Sequence, residues 1–160
     1  MVQLGIKGQV PGFTLLELTV VIVILGVLLA IFVPQFNSKV SGNEIKTTAR
    51  NIASDIRYVQ QLSLSHEHAG YKIRFYTENQ GNPNTYRLYT DRNDGSNYEE
   101  KVLSDRMAIV GTNFNSNTIW FNARGTVVQG GTVTLRDDSE RWKYIKVQPV
   151  TGRVQIGDSP

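Results

Sequence analysis

The hydrophobic pattern changes twice along the chain. From Leu18 to Phe36 the text LTVVIVILGVLLAIFVPQF runs nineteen residues without a charge. From Ile45 to Leu62 the pattern is striped: Ile45, Ala49, Ile52, Ala53, Ile56, Val59 and Leu62 recur at steps of three and four. Lys46, Arg50, Asp55 and Arg57 fill the positions between and form a wet face. Beyond Gly70 short alternating runs are broken by polar turns. The first run is rich in Val and Ile but too long for a strand, so it reads as helix, and the stripe has the helical period. Together they predict one helix from about Phe13 to Ser63, roughly 75 Å long at about 1.5 Å per residue. Pro34 removes a backbone donor and should bend that helix rather than end it. Gly42 is a second bend position, about 1 kcal/mol poorer than Ala in a helix.

The alternating runs predict seven strands: Tyr71–Tyr76, Thr85–Thr90, Met107–Val110, Thr118–Asn122, Gly131–Arg136, Tyr144–Val147 and Arg153–Ile156. Short strands are not stable with one face bare. The stripe over 45–62 is the natural cover. The expected fold class is α+β: a long N-terminal α-helix, apolar in its first half, packed by its second half on an antiparallel β-sheet domain in two small sheets, a lollipop.

Composition narrows the chemistry. In 160 residues there are 17 Lys+Arg against 14 Asp+Glu, a formal charge of +3. That surplus is small for a polyanion-binding protein, which needs clustered cations. The absence of cysteine excludes disulfides, thiolate metal sites and a Cys nucleophile. His66-Glu67-His68 lacks the H-E-x-x-H spacing of a zinc site, and no phosphate loop or serine-nucleophile motif occurs. The expectation is a non-enzyme without cofactor or metal. The acidic stretch Asp91–Glu100 fails the EF-hand pattern, since Gly95 stands fifth and no Glu stands twelfth. It reads as a solvated turn, and calcium binding there stays open.

The N-terminal text separates three readings of the apolar run. A cleaved secretory signal has a shorter apolar core, a basic start and small residues before the cut, and none of these fits. A plain membrane anchor has adequate length for a bilayer core of about 30 Å. It leaves unexplained the boundary Gly12-Phe13-Thr14-Leu15-Leu16-Glu17, where one carboxylate stands at the edge of an apolar helix. That boundary, with Pro34 seventeen residues beyond Glu17, resembles the leader and first helix of type IV pilins and type II secretion pseudopilins.

The C-terminal half is similar to a subset of these, the GspH/FimT family of minor pseudopilins and minor pilins. The resemblance rests on Phe121-Asn122-Ala123-Arg124-Gly125, the run Gly131-Thr132-Val133-Thr134-Leu135, and the closing Gly152-Arg153-Val154. It makes Gly125, Gly152 and Arg153 family turn positions.

The resemblance implies a leader over 1–12, a transmembrane and assembly helix over 13–36, its amphipathic continuation over 37–65 and a β-rich head over 66–160. It further implies cleavage after Gly12 by a prepilin peptidase and N-methylation of Phe13. Glu17 would then pair with the methylated terminus of a neighbouring subunit. The implied partners are that peptidase, other pilins or pseudopilins of the filament, an inner-membrane assembly platform and membrane lipid. The implied location is the cytoplasmic membrane with the head outside the cytoplasm, then a filament. The positive-inside rule adds little to this topology, because Lys7 is the lone basic residue of the leader. An alternative is a pilus-tip receptor for DNA or a surface. Its nucleic-acid contacts would be Arg141, Lys143 and Lys146, interleaved with Trp142 and Tyr144 but offset by Asp137, Asp138 and Glu140.

Overall fold

The computed structural model describes residues 14–81, 83–91 and 97–160, without the side chains of 31–42. The leader 1–12 and Phe13, and the middle of the Asp91–Glu100 stretch, therefore lie outside the described residues. By internal contacts the chain forms two units, Met1–Lys39 and Val40–Pro160. Helix α1 runs from Leu15 to Ser65 and is continuous through Pro34 and Gly42.

In the first unit the described side chains, from Thr14 to Ala30, are all exposed. The second unit is a helix-on-sheet body. Eight strands follow α1: β1 Lys72–Phe75, β2 Thr85–Tyr89, β3 Glu99–Val102, β4 Met107–Thr112, β5 Thr118–Trp120, β6 Gly131–Asp137, β7 Trp142–Val147 and β8 Val154–Gly157. They form two antiparallel four-stranded sheets, ordered β3-β2-β1-β5 and β4-β6-β7-β8. All seven strands expected from the alternation are present, shifted at their ends by at most two residues. The eighth, β3, was not expected. Its text Glu99-Glu100-Lys101-Val102 is charged because it is an edge strand with little to bury, so it has no alternation to read. A register shift between Ile109 and Gly111 in β4 marks a bulge at the edge of the other sheet.

The helical stripe and the inner faces of both sheets share one core. Ile45, Ala49, Ile52, Ala53, Ile56 and Val59 are at most 1% exposed, and Leu62 is partly buried, as the period of the stripe requires. Against them lie Ile73 and Phe75 of β1, Leu88 of β2 and Ile119 of β5 from the first sheet. Val133 and Leu135 of β6 and Ile145 of β7 come from the second. Asp55, assigned to the wet face by the sequence, is half-buried instead. The reason is Tyr86, whose hydroxyl donates to Asp55 Oδ2 over 2.6 Å. Burial, and then that bond, push the Tyr86 phenol well above the ordinary tyrosine range.

The core residues of α1 from Ala49 to Val59 belong to one buried cluster with residues of both sheets, so shortening one leaves a hole in a shared core. Ile56→Ala is expected to lower stability by about 2–5 kcal/mol, read from the denaturation midpoint of the full chain in detergent. A loss under about 0.5 kcal/mol, the range of surface substitutions, would show that the stripe does not hold the head together.

Candidate functional site

Two regions carry the sequence-derived site residues. The first is the start of α1. Thr14 Oγ1 accepts a hydrogen bond from the Glu17 backbone N–H at 3.2 Å, and Leu18 N–H reaches the Thr14 carbonyl at 3.2 Å. Thr14 is thus the N-cap, satisfying one of the helix's orphan donors. Glu17 stands three residues on, in the first turn, where a carboxylate is favoured by the helix dipole. This local reason for Glu17 was legible as Thr-x-x-Glu but was not read from the sequence.

Beyond Glu17 the side chains have no cover from the described residues. Leu15 is 80% exposed, and Leu18, Ile22, Val23 and Leu29 are each more than half exposed. A contiguous exposed apolar surface of this extent marks a site for lipid or for other proteins. Among the described residues no helix is long and apolar enough to cross a membrane. The side chains of 31–42 lie outside the described ones, and the uncharged run continues through them to Phe36.

The second region joins the end of α1 to the C-terminal turns. Gly125 has φ +65° and Gly152 φ +63°, left-handed values that favour glycine. A Cβ at Gly125 would run into Leu64 of α1, and one at Gly152 into Gln60. Gln60 Nε2 donates to the Gly125 carbonyl at 2.9 Å and to the Thr151 carbonyl at 3.3 Å. One helix turn on, the buried Ser63 hydroxyl contacts the carbonyls of His68 at 3.0 Å and Asn122 at 2.5 Å. One turn back, Arg57 Nη2 donates to the Val154 carbonyl at 3.3 Å. Arg57, Gln60 and Ser63 thus form a polar row on α1, beside the apolar stripe, that fastens both family turns.

Asn122 organises the first of these turns. Its Oδ1 accepts from the N–H groups of Arg124 at 2.9 Å and Thr126 at 3.0 Å. Arg153 is exposed and has no carboxylate partner among the described residues. Sequence reading missed the helix row, because hydrogen bonds to distant carbonyls leave no periodic trace. Asn122 had a signal, an Asn opening a Gly-containing turn.

Of the three candidate nucleic-acid residues, Arg141 and Lys143 line one cleft with Lys46, Trp142 and Asp158, and Lys146 stands apart from it. Lys143 and Lys146 stand an odd number of positions apart in β7, so they face opposite sides of the sheet. Lys143 Nζ pairs with Asp158, whose carboxyl is held below the usual aspartate range by that hydrogen bond. Arg141 Nε reaches Asp137 Oδ2 at 2.8 Å. Asp137 is 3% exposed and also accepts from the N–H groups of Ser139 and Arg141, so the pair builds the β6–β7 turn.

His66 and His68 both pack on Tyr71, with ring centroids at 5.9 and 6.2 Å, and the Tyr71 hydroxyl meets His66 Nδ1 at 2.9 Å. Among the described residues no group of three His, Asp or Glu is placed to hold a metal ion.

Residues 48–151 match the family model described as type II transport protein GspH. The matched span begins inside the helical stripe and ends before Gly152. No curated protein matches the chain. Among solved structures it is similar to the type IV minor pilin FimU of Pseudomonas aeruginosa, at 13% identity and a TM-score of 0.56, over 73% of this chain and 90% of that one. At that identity the likeness is one of fold.

The polar row and the terminal ion pair each generate an expectation. Gln60→Ala removes a donor shared by two carbonyls and should cost about 1 kcal/mol, read as a shifted denaturation midpoint. An unchanged midpoint would mean that water replaces the bond without loss. For Asp158, carboxyl NMR titration should give a pKa below that of an ordinary aspartate, restored by Lys143→Ala. Because the folded value is depressed, its stabilising contribution is complete above the unfolded pKa and lost as pH falls through the folded one. A normal Asp158 titration in the parent chain would exclude the pair in solution.

Proposed function

The chain belongs to the GspH family of type II transport proteins, and from that premise we propose that it is a non-enzymatic filament subunit, made as a precursor and assembled through its first helix. In this reading the leader 1–12 is removed by a prepilin peptidase after Gly12, and Phe13 becomes the methylated N-terminus. The helix over 13–36 holds the chain in the cytoplasmic membrane with the head outside the cytoplasm. An inner-membrane platform then moves it into a type II secretion pseudopilus or a type IV pilus. The observation that carries the reading is the start of α1, where one carboxylate borders apolar side chains left uncovered by the described residues.

Apolar helices in lipid gain little by exchanging lipid contacts for contacts with each other, so packing shape and polar pairs must supply specificity. Glu17 of one subunit facing the charged terminus of Phe13 in another supplies such a pair. Deleting one partner strands the other charge, at roughly 3–5 kcal/mol. The non-catalytic role is supported by family and fold, which are those of structural pilins. The receptor alternative is weakly served by Arg141, Lys143 and Lys146: the first two share a cleft but are each held by a carboxylate, Asp137 and Asp158, and Lys146 faces the other side of the sheet.

Mass spectrometry of the chain from its native membrane should show an N-terminus at Phe13 carrying one methyl group. Glu17→Ala should leave the chain processed and membrane-bound yet strongly depleted from sheared filaments. Retention of Met1, or normal incorporation of the variant, would sink the proposal.

A further inference from the structure

The outer face of the first sheet, turned away from the core, is an organised layer of cations and rings. Lys72 of β1 lies between two aromatic residues, its Nζ 4.7 Å from the Tyr89 ring centroid and 4.5 Å from that of Trp120. The Arg87 guanidinium lies 4.9 Å from the Tyr76 centroid and 4.2 Å from that of Tyr98. Arg74 joins the same group over Tyr76 at 5.4 Å. Strand register places these residues together, since Lys72 is opposite both Tyr89 and Trp120, and Arg74 is opposite Arg87.

Glu100 is the one carboxylate at the strand positions of this face, and it is bound to Arg87 at 2.6 Å. Lys72 and Arg74 have no carboxylate partner among the described residues. At the described strand positions of this face three cations stand against one carboxylate, a positive balance. It is also apolar at its margins, with Val102 66%, Tyr98 45% and Trp120 44% exposed.

We propose that this face docks an acidic segment of a partner protein, whose carboxylates pair with Lys72 and Arg74 while its apolar groups cover Trp120 and Tyr98. Three features select that occupant. Trp, Tyr and Arg are the residues that anchor protein interfaces. A cation already resting on a ring loses less on leaving water than a fully hydrated one, and it is held where a carboxylate can reach it. Nucleic acid fits less well, because base stacking needs open ring faces and the cations occupy these. The inference goes beyond helix-mediated assembly and does not depend on it: it concerns the head, and a chain that fails to assemble can still be tested.

The test uses the full chain in a neutral detergent and a fluorescently labelled random glutamate–tyrosine copolymer, followed by anisotropy over a salt series. Saturable binding is expected at low salt, weakening as salt screens exposed charges. Arg74→Glu and Lys72→Glu should each weaken it about tenfold, and Trp120→Ala several-fold. Lys146→Glu, on the other sheet, should leave it unchanged, and circular dichroism identifies any variant that fails to fold. Arg74→Ala, at an exposed position, repeats the test without reversing a charge. Absence of binding at low salt, or indifference to both Arg74 variants, overturns the proposal. Tighter binding of labelled oligothymidine, lost in the same variants, overturns the acidic-protein occupant.

Discussion

Neither sheet can bury its own inner face, and the head exists because one helical stripe closes both. From Ala49 to Val59 a single row of small and branched side chains lies in one buried cluster with residues of both four-stranded sheets. At roughly 25 cal/mol per Å² of apolar surface, that burial is the largest favourable term available to a body of this size. Alanines at 49 and 53 alternate with isoleucines at 52 and 56, so the helix can lie close to the strands while its larger side chains interlock with them.

The polar row beside the stripe acts differently. Arg57, Gln60 and Ser63 contribute little area but reach carbonyls in two separate turns and a strand, each far away in sequence. The stripe sets how closely helix and sheets approach, while the row sets which turn lies beside which helix residue. The left-handed glycines at 125 and 152 belong to the same arrangement. Each brings its backbone so near α1 that a side chain would collide with Leu64 or Gln60. Their place in the family motif therefore has a reason in this structure beyond turn conformation.

Much of this was legible in the residues. The helix, its buried positions, the fold class and seven strands followed from period alone, because burial on one side of a regular element imprints its repeat on the text. The edge strand β3 buries almost nothing and left no imprint. Asp55 was misplaced because its partner Tyr86 lies on another element. The cation–ring layer escaped notice for a similar reason: Lys72, Tyr89 and Trp120 are neighbours only once β1, β2 and β5 are paired. Of the site residues, Glu17 stood out as a local oddity and the turn glycines through the family resemblance, whereas Gln60 and Ser63 looked like ordinary polar helix residues.

The charged edge at β3 and the bulged edge at β4 bear on crowding. A regular, uncharged border strand offers its free N–H and C=O groups to any sheet that comes near, and heads gathered at high local concentration would fuse border to border. Glu99, Glu100 and Lys101 on one border, and the interrupted ladder at Ile109–Gly111 on another, resist that fusion. Bodies so protected can be packed tightly and still come apart again as individuals.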